Sequence, residues 1–119
     1  MSGEEKDNGK SDQIKSKIQN LYQLPEGWDG EYAKPVSREA ASKAAYITYA
    51  IAKDYIELVQ FFPLVAGGMQ IELFVGGNQL EIEIDENGNA FVVFVDDSGD
   101  IKFEGEFQLR DLHMIGKIA

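Results

Sequence analysis

The apolar residues of this chain keep a helical spacing up to Pro63 and a spacing of two beyond it, and that switch constrains the fold more than any other feature. Met69, Ile71, Leu73 and Val75 alternate with Gln70, Glu72 and Phe74. Leu80, Ile82 and Ile84 alternate with Glu81, Glu83 and Asp85, the pattern of a half-buried strand. Ile101, Phe103 and Phe107 alternate with Lys102, Glu104 and Glu106, whereas residues 90–95 are apolar throughout and predict the most covered strand. Turn residues separate the runs: Gly67-Gly68 after Leu64-Val65-Ala66, then Gly76-Gly77-Asn78, Glu86-Asn87-Gly88-Asn89, and Asp96-Asp97-Ser98-Gly99-Asp100. Connections this short join antiparallel neighbours, because parallel strands need crossovers of a dozen or more residues.

Before Pro63 the pattern is helical. Residues 37–60 read as one long helix, with Ser37 as its N-cap and Glu39 in the first turn, where the helix dipole favours an acid. Its apolar positions, among them Ala41, Ala44, Ala45, Ile47, Thr48, Ile51, Tyr55 and Leu58, cover more than one stripe. Such width predicts a sheet on one side and a second contact, either the first helix or another subunit, on the other. A shorter helix starts at Ser11 or Asp12, carries Ile14, Ile18 and Leu21 on one face, and ends near Leu24-Pro25, since the residue before proline disfavours the helical region. Residues 1–11 read as a mobile polar tail, and residues 110–119 as one short helix. The expected fold is therefore α+β: a long N-terminal helix plus a short one, packed on a four- to five-stranded antiparallel β-meander, with residues 12–119 as a single domain.

Charge and residue usage narrow the function by exclusion. The chain has 119 residues and a net charge of −10. Residues 1–53 are electrically neutral, while residues 54–119 carry 13 acidic groups against Lys102, Arg110 and Lys117. No basic footprint for a phosphate backbone exists, so direct binding of nucleic acid is not expected, and an anionic membrane surface would repel the acidic half. Cysteine is absent and His113 is the sole histidine, which removes disulfides, thiolate metal sites and multi-histidine zinc sites. No apolar run is long enough for a spanning helix and the start is polar, so the expected location is cytoplasmic.

The candidate functional residues are carboxylates on one side of the sheet. If the strands pair in sequence order, Glu72, Glu81, Glu83, Glu104 and Glu106 share the face opposite the core, ~6.7 Å apart along a strand and ~4.8 Å apart between strands. Phe74, Val92 and Phe94 are assigned to the same face by parity, making Phe74 and Phe94 apolar anchors of a partner-binding surface. The ordinary structural alternative is a solvated face whose apolar members lie under the C-terminal segment or a second chain. The turns 85–89 and 96–100 faintly resemble calcium loops, but neither has the sixth-place glycine or the twelfth-place glutamate, and Asp and Asn beside Gly is common hairpin chemistry. A glutamate pair serving as acid and base would need a pocket that nothing in the sequence shows. Trp28, inside the turn-rich loop 25–30, is read as a loop anchor, with a binding role as the alternative. No catalytic residue, metal ligand or cofactor is assigned.

Two stretches, taken together, resemble a group of small bacterial proteins. One is Leu24-Pro25-Glu26-Gly27-Trp28-Asp29-Gly30 with Ala33, Pro35 and Ala40; the other is Gly67-Gly68-Met69-Gln70-Ile71-Glu72 with Gly77 and Leu80-Glu81-Ile82-Glu83-Ile84. The resemblance spans roughly residues 24–106 and departs at Phe74, near which the pattern carries a tryptophan. It implies a bacterial, cytosolic, non-enzymatic protein from mobile-element or toxin–antitoxin-like loci, and transfers no catalytic residue. The expected function is an acidic protein-binding module, antitoxin-like or inhibitor-like, whose partner is a protein with a basic surface or a second copy forming a homodimer. A DNA mimic that blocks a nucleic-acid-binding protein and a carboxylate-based enzyme or cation-binding protein are the alternatives.

Overall fold

A computed structural model describes residues 2–55 and 58–108. Helix α1 (Ser2–Tyr22) and helix α2 (Arg38–Tyr55) pack on each other and lie against one face of a sheet of five strands. The strands are β1 (Leu58–Pro63), β2 (Met69–Val75), β3 (Asn78–Ile84), β4 (Ala90–Val95) and β5 (Ile101–Glu106). They pair antiparallel in sequence order, so the sheet is a plain meander and the architecture is α+β, as the period switch predicts.

The helices depart from expectation at both ends of their span. The expected long helix 37–60 stops at Tyr55, and its last positions belong to β1 instead. Leu58-Val59-Gln60-Phe61-Phe62 is rich in β-branched and aromatic residues, which suit a pleated surface, and Pro63 closes it on an edge strand where the missing N–H does no harm. Conversely, α1 begins at Ser2, ahead of the start at Ser11 or Asp12 that the sequence predicts. Adding residues to a formed helix is cheap compared with nucleating one. The expected helix over 110–119, with His113, lies outside the described residues.

The core forms between the layers. Ile14 and Ile18 of α1 are buried with Leu21 packed beside them, and α2 contributes Ala40, Ala44 and Ile47 at the i, i+4, i+7 positions of one face. Small alanines let α2 approach the sheet, and Ala41 and Ala45 pack at the margin of the same core. From below come Met69, Ile71 and Leu73, Leu80, Ile82 and Ile84, then Ala90, Val92 and Phe94, each set alternating along its strand. The second contact of the apolar α2 is α1. Among the described residues no helix is long and apolar enough to cross a membrane.

Loop 23–37 is fastened to two hairpin turns. Asp29 Oδ1 accepts the N–H groups of Glu31 and Ala33, and the Trp28 indole N–H donates to the Lys34 carbonyl at 2.9 Å. Lys34 N–H then reaches the Val65 carbonyl and Ser37 N–H the Gly67 carbonyl, both at 2.9 Å. Ser37 Oγ accepts from Ala40 N–H, the N-cap bond, and donates to the Glu86 carbonyl at 2.6 Å. Gly68 is required by contact: a Cβ there would fall on the Ile84 carbonyl oxygen. This sewn end fixes where α2 starts relative to the β1–β2 and β3–β4 turns.

Candidate functional site

The side of the sheet turned away from the helices is built by register. Gln60, Glu72, Glu81, Val93 and Glu104 stand opposite one another across the five strands. Phe62, Gln70, Glu83, Phe91 and Glu106 form the next row, and Phe74, Gln79, Val95 and Ile101 a third. All five predicted glutamates and Phe74 therefore share one face. Glu83, Glu104 and Glu106 are exposed; Glu72, Glu81 and Phe74 are half-buried by their neighbours.

Phe94 does not belong to it. The pairs Leu80↔Phe94 and Ile82↔Val92 place Phe94 and Val92 on the core side, and Phe94 is 2% exposed. Hydropathy could not settle the parity of β4, because every residue from Ala90 to Val95 is apolar. The turn settles it: Asp85 N–H bonds the Asn89 carbonyl, Gly88 N–H bonds the Asp85 carbonyl, and the strands resume at Ile84↔Ala90. Each position of β4 is thereby assigned to a face, and a slip of one residue would exchange them all. Phe91, 46% exposed, takes the place on the outer face that the sequence reading gave to Phe94.

A second register effect comes from β5. Phe94 pairs with Phe103 but Val95 with Ile101, so Lys102 is an extra residue in a β-bulge. The bulge turns Ile101, expected among the core residues, to the outer face opposite Val95, where it is 58% exposed. Phe91, Val93, Val95 and Ile101 are thus site residues that the sequence reading missed. The signal for the first three was the length of the 85–89 turn; nothing comparable announces the bulge.

What results is an apolar rib along β4, Phe91-Val93-Val95, bordered by acidic ribs on β3 (Glu81, Glu83) and β5 (Glu104, Glu106). The borders lie ~4.8 Å to either side of the rib. Glu72 faces Glu81 directly across β2 and β3, a like-charge pair that opposes sheet formation. Glu72 does receive the Gln70 amide at 3.3 Å. Lys102 is the only basic residue of the five strands, and its ammonium pairs with Asp96 at 3.4 Å in the adjoining turn.

The chain matches no family model, no curated protein and no solved structure. Its chemistry has to be read from the side chains themselves. The two calcium-like loops are occupied by their own backbone. Asp85 Oδ1 accepts the N–H groups of Asn87 and Asn89, and Asp96 Oδ1 those of Ser98 and Asp100. The Asn89 amide holds the Asp85 carboxyl below the usual carboxylate range, and the Asp100 amide does the same for Asp96. Asp29 is lowered in the same way by the amides of Glu31 and Ala33. These carboxylates shape turns. Among the described residues no three His, Cys, Asp or Glu side chains converge as they would around a metal ion.

Proposed function

We propose that the chain is a protein-binding module that captures a partner bearing a basic surface through the outer face of its sheet, in the manner of an antitoxin or inhibitor. The supporting observation is the face itself: five carboxylates arranged around exposed aromatic and aliphatic side chains, with Lys102 paired to Asp96 in the adjoining turn. Protein interfaces combine an apolar centre with a polar rim, and large side chains standing singly on a sheet face offer such a centre. Acid that served solubility alone would have no reason to flank one rib, nor to oppose Glu72 to Glu81 at a distance of about 5 Å. The apolar rib also favours an ordinary interface over a DNA mimic, whose charged track has no need of Phe91 or Ile101.

Capture by tagged protein tests this. The Glu81→Lys/Glu83→Lys variant is expected to lose its partner while keeping its melting temperature within a few degrees. Glu26→Lys/Glu31→Lys changes the net charge equally at exposed loop positions and is expected to retain the partner. Capture unaffected by the first pair would remove the outer face from the function. Competition by duplex DNA for the captured protein would favour the mimic instead.

A further inference from the structure

Resting on that reading, we propose that the outer face recognises one kind of element: an amphipathic α-helix of the partner, laid along β4, with an apolar stripe bordered on both sides by Lys or Arg.

Three features lead there. The first is the width of the pattern. An α-helix with its side chains is ~10 Å across, and the acidic ribs of β3 and β5 together span about the same distance. A helix seated on Phe91, Val93 and Val95 would carry its flanking side chains directly above Glu81 and Glu83 on one side and Glu104 and Glu106 on the other. Lys and Arg are long enough to lie along the apolar stripe and place their charge at its border. The second is length. The rib from Phe91 to Val95 covers roughly 13 Å, which is about nine residues of helix, so residues at i, i+3 or i+4, and i+7 meet it in turn.

The third is the state of the sheet's edges, where an extended segment would have to add as a sixth strand. At β1, Lys17 Nζ of α1 donates to the Val59 carbonyl at 3.4 Å, and Pro63 supplies no N–H. At β5 the bulge at Lys102 interrupts the ladder, and charged side chains alternate along the strand. Both are the devices by which edges are kept from pairing with other chains. The face remains, and a partner that neutralises a face without adding to its ladder brings its own backbone hydrogen bonds already satisfied, as a helix does.

Fluorescence anisotropy with three labelled 14-residue peptides of identical Leu and Lys composition separates the alternatives: one at helical spacing, one alternating with period two, one scrambled. The full-length protein at 0.1 M salt is expected to bind the helical pattern about tenfold or more tightly than either isomer, a difference of about 1.4 kcal/mol. Phe91→Ser/Val93→Ser is expected to remove that preference, and Ile101→Ser to weaken it, with melting curves showing that each variant is folded. Equal binding of all three peptides, or preference for the alternating one, overturns the helix. If in that case Glu81→Lys/Glu83→Lys still abolishes binding, the basic-partner reading stands alone; if it leaves binding unchanged, both fall. Binding that appears only with Leu112→Asp/Ile115→Asp would give the face to this chain's own C-terminal residues. A dimer by light scattering that dissociates with Phe91→Ser/Val93→Ser would give it to a second copy. Either result overturns the proposal.

Discussion

Three aspartates do the same work at three places in this protein. Asp29, Asp85 and Asp96 each turn one carboxylate oxygen back onto two backbone N–H groups, two and four residues ahead, and a glycine with positive φ lies in each of the five-residue stretches they open. Such bonds favour the charged carboxylate, which is why all three stay ionised at lower pH than a free aspartate. The linkage has a definite sign. A depressed folded pKa adds stability above the unfolded value of about 3.9, and that stability is lost as pH falls through the folded value. Asp96→Ala is therefore expected to melt below the wild type at pH 7, with the difference shrinking once the pH drops below about 4. Asp96→Asn, which keeps an acceptor oxygen without the charge, is expected to recover part of the loss and to show no such acid dependence. Thermal melts across pH 2.5–7 at constant ionic strength check both points; a wild-type advantage that persists unchanged at the acid end would assign the stabilisation to something other than these bonds (the pH range being set by the ~3.9 reference value).

At the scale of elements, β4 carries the decisive ambiguity. Its two phenylalanines are three positions apart, hence on opposite faces, and only one of them can be in the core. Phe94→Ala is expected to destabilise the protein by about 3–5 kcal/mol, while Phe91→Ala is expected to remain within about 1 kcal/mol of the wild type, read from urea unfolding. Equal losses would mean that the outer face is covered. The same strand shows what could be read in the sequence and what could not. Strands with one polar face, such as β3 with Glu81 and Glu83, declare their orientation residue by residue. A strand apolar on both faces leaves it to the turn before it, and a bulge such as that at Lys102 leaves no trace in the periodicity at all. The end of α2 was obscured for a related reason: Tyr55, Leu58 and Val59 fit a helical stripe as well as a strand, and it is the pairing of Val59 with Leu73 that decides. The meander itself was legible because its turns are short and rich in glycine. The N-cap at Ser37 and the face of Ile14, Ile18 and Leu21 were legible because local chemistry specifies them. Five glutamates of the candidate face followed from simple alternation; its hydrophobic half did not.

For the molecule as a whole, charge is distributed by layer. The helical layer takes basic and acidic side chains in comparable number, whereas the outer face of the sheet carries five glutamates against Lys102, so the electrostatic cost of folding is concentrated where the proposed partner would bind. Relieving it should separate stability from capture. Glu72→Lys, which turns the like-charge pair with Glu81 into an attractive cross-strand pair, is expected to raise stability by about 0.2–1 kcal/mol and to weaken partner capture. Denaturant melts and capture assays on the same preparation check this, and a variant that loses stability would show that the face is arranged for the fold. Salt should act similarly on the wild type, raising its melting temperature while weakening capture, since it screens repulsion within the face and attraction across it alike.

The alternation that puts Val92 and Phe94 inside and Phe91, Val93 and Val95 outside has a consequence for substitution. Residues that hold the fold and residues that would meet a partner are interleaved in sequence yet disjoint in space. Exchanging one outer row for another therefore alters what the face presents without touching the interior.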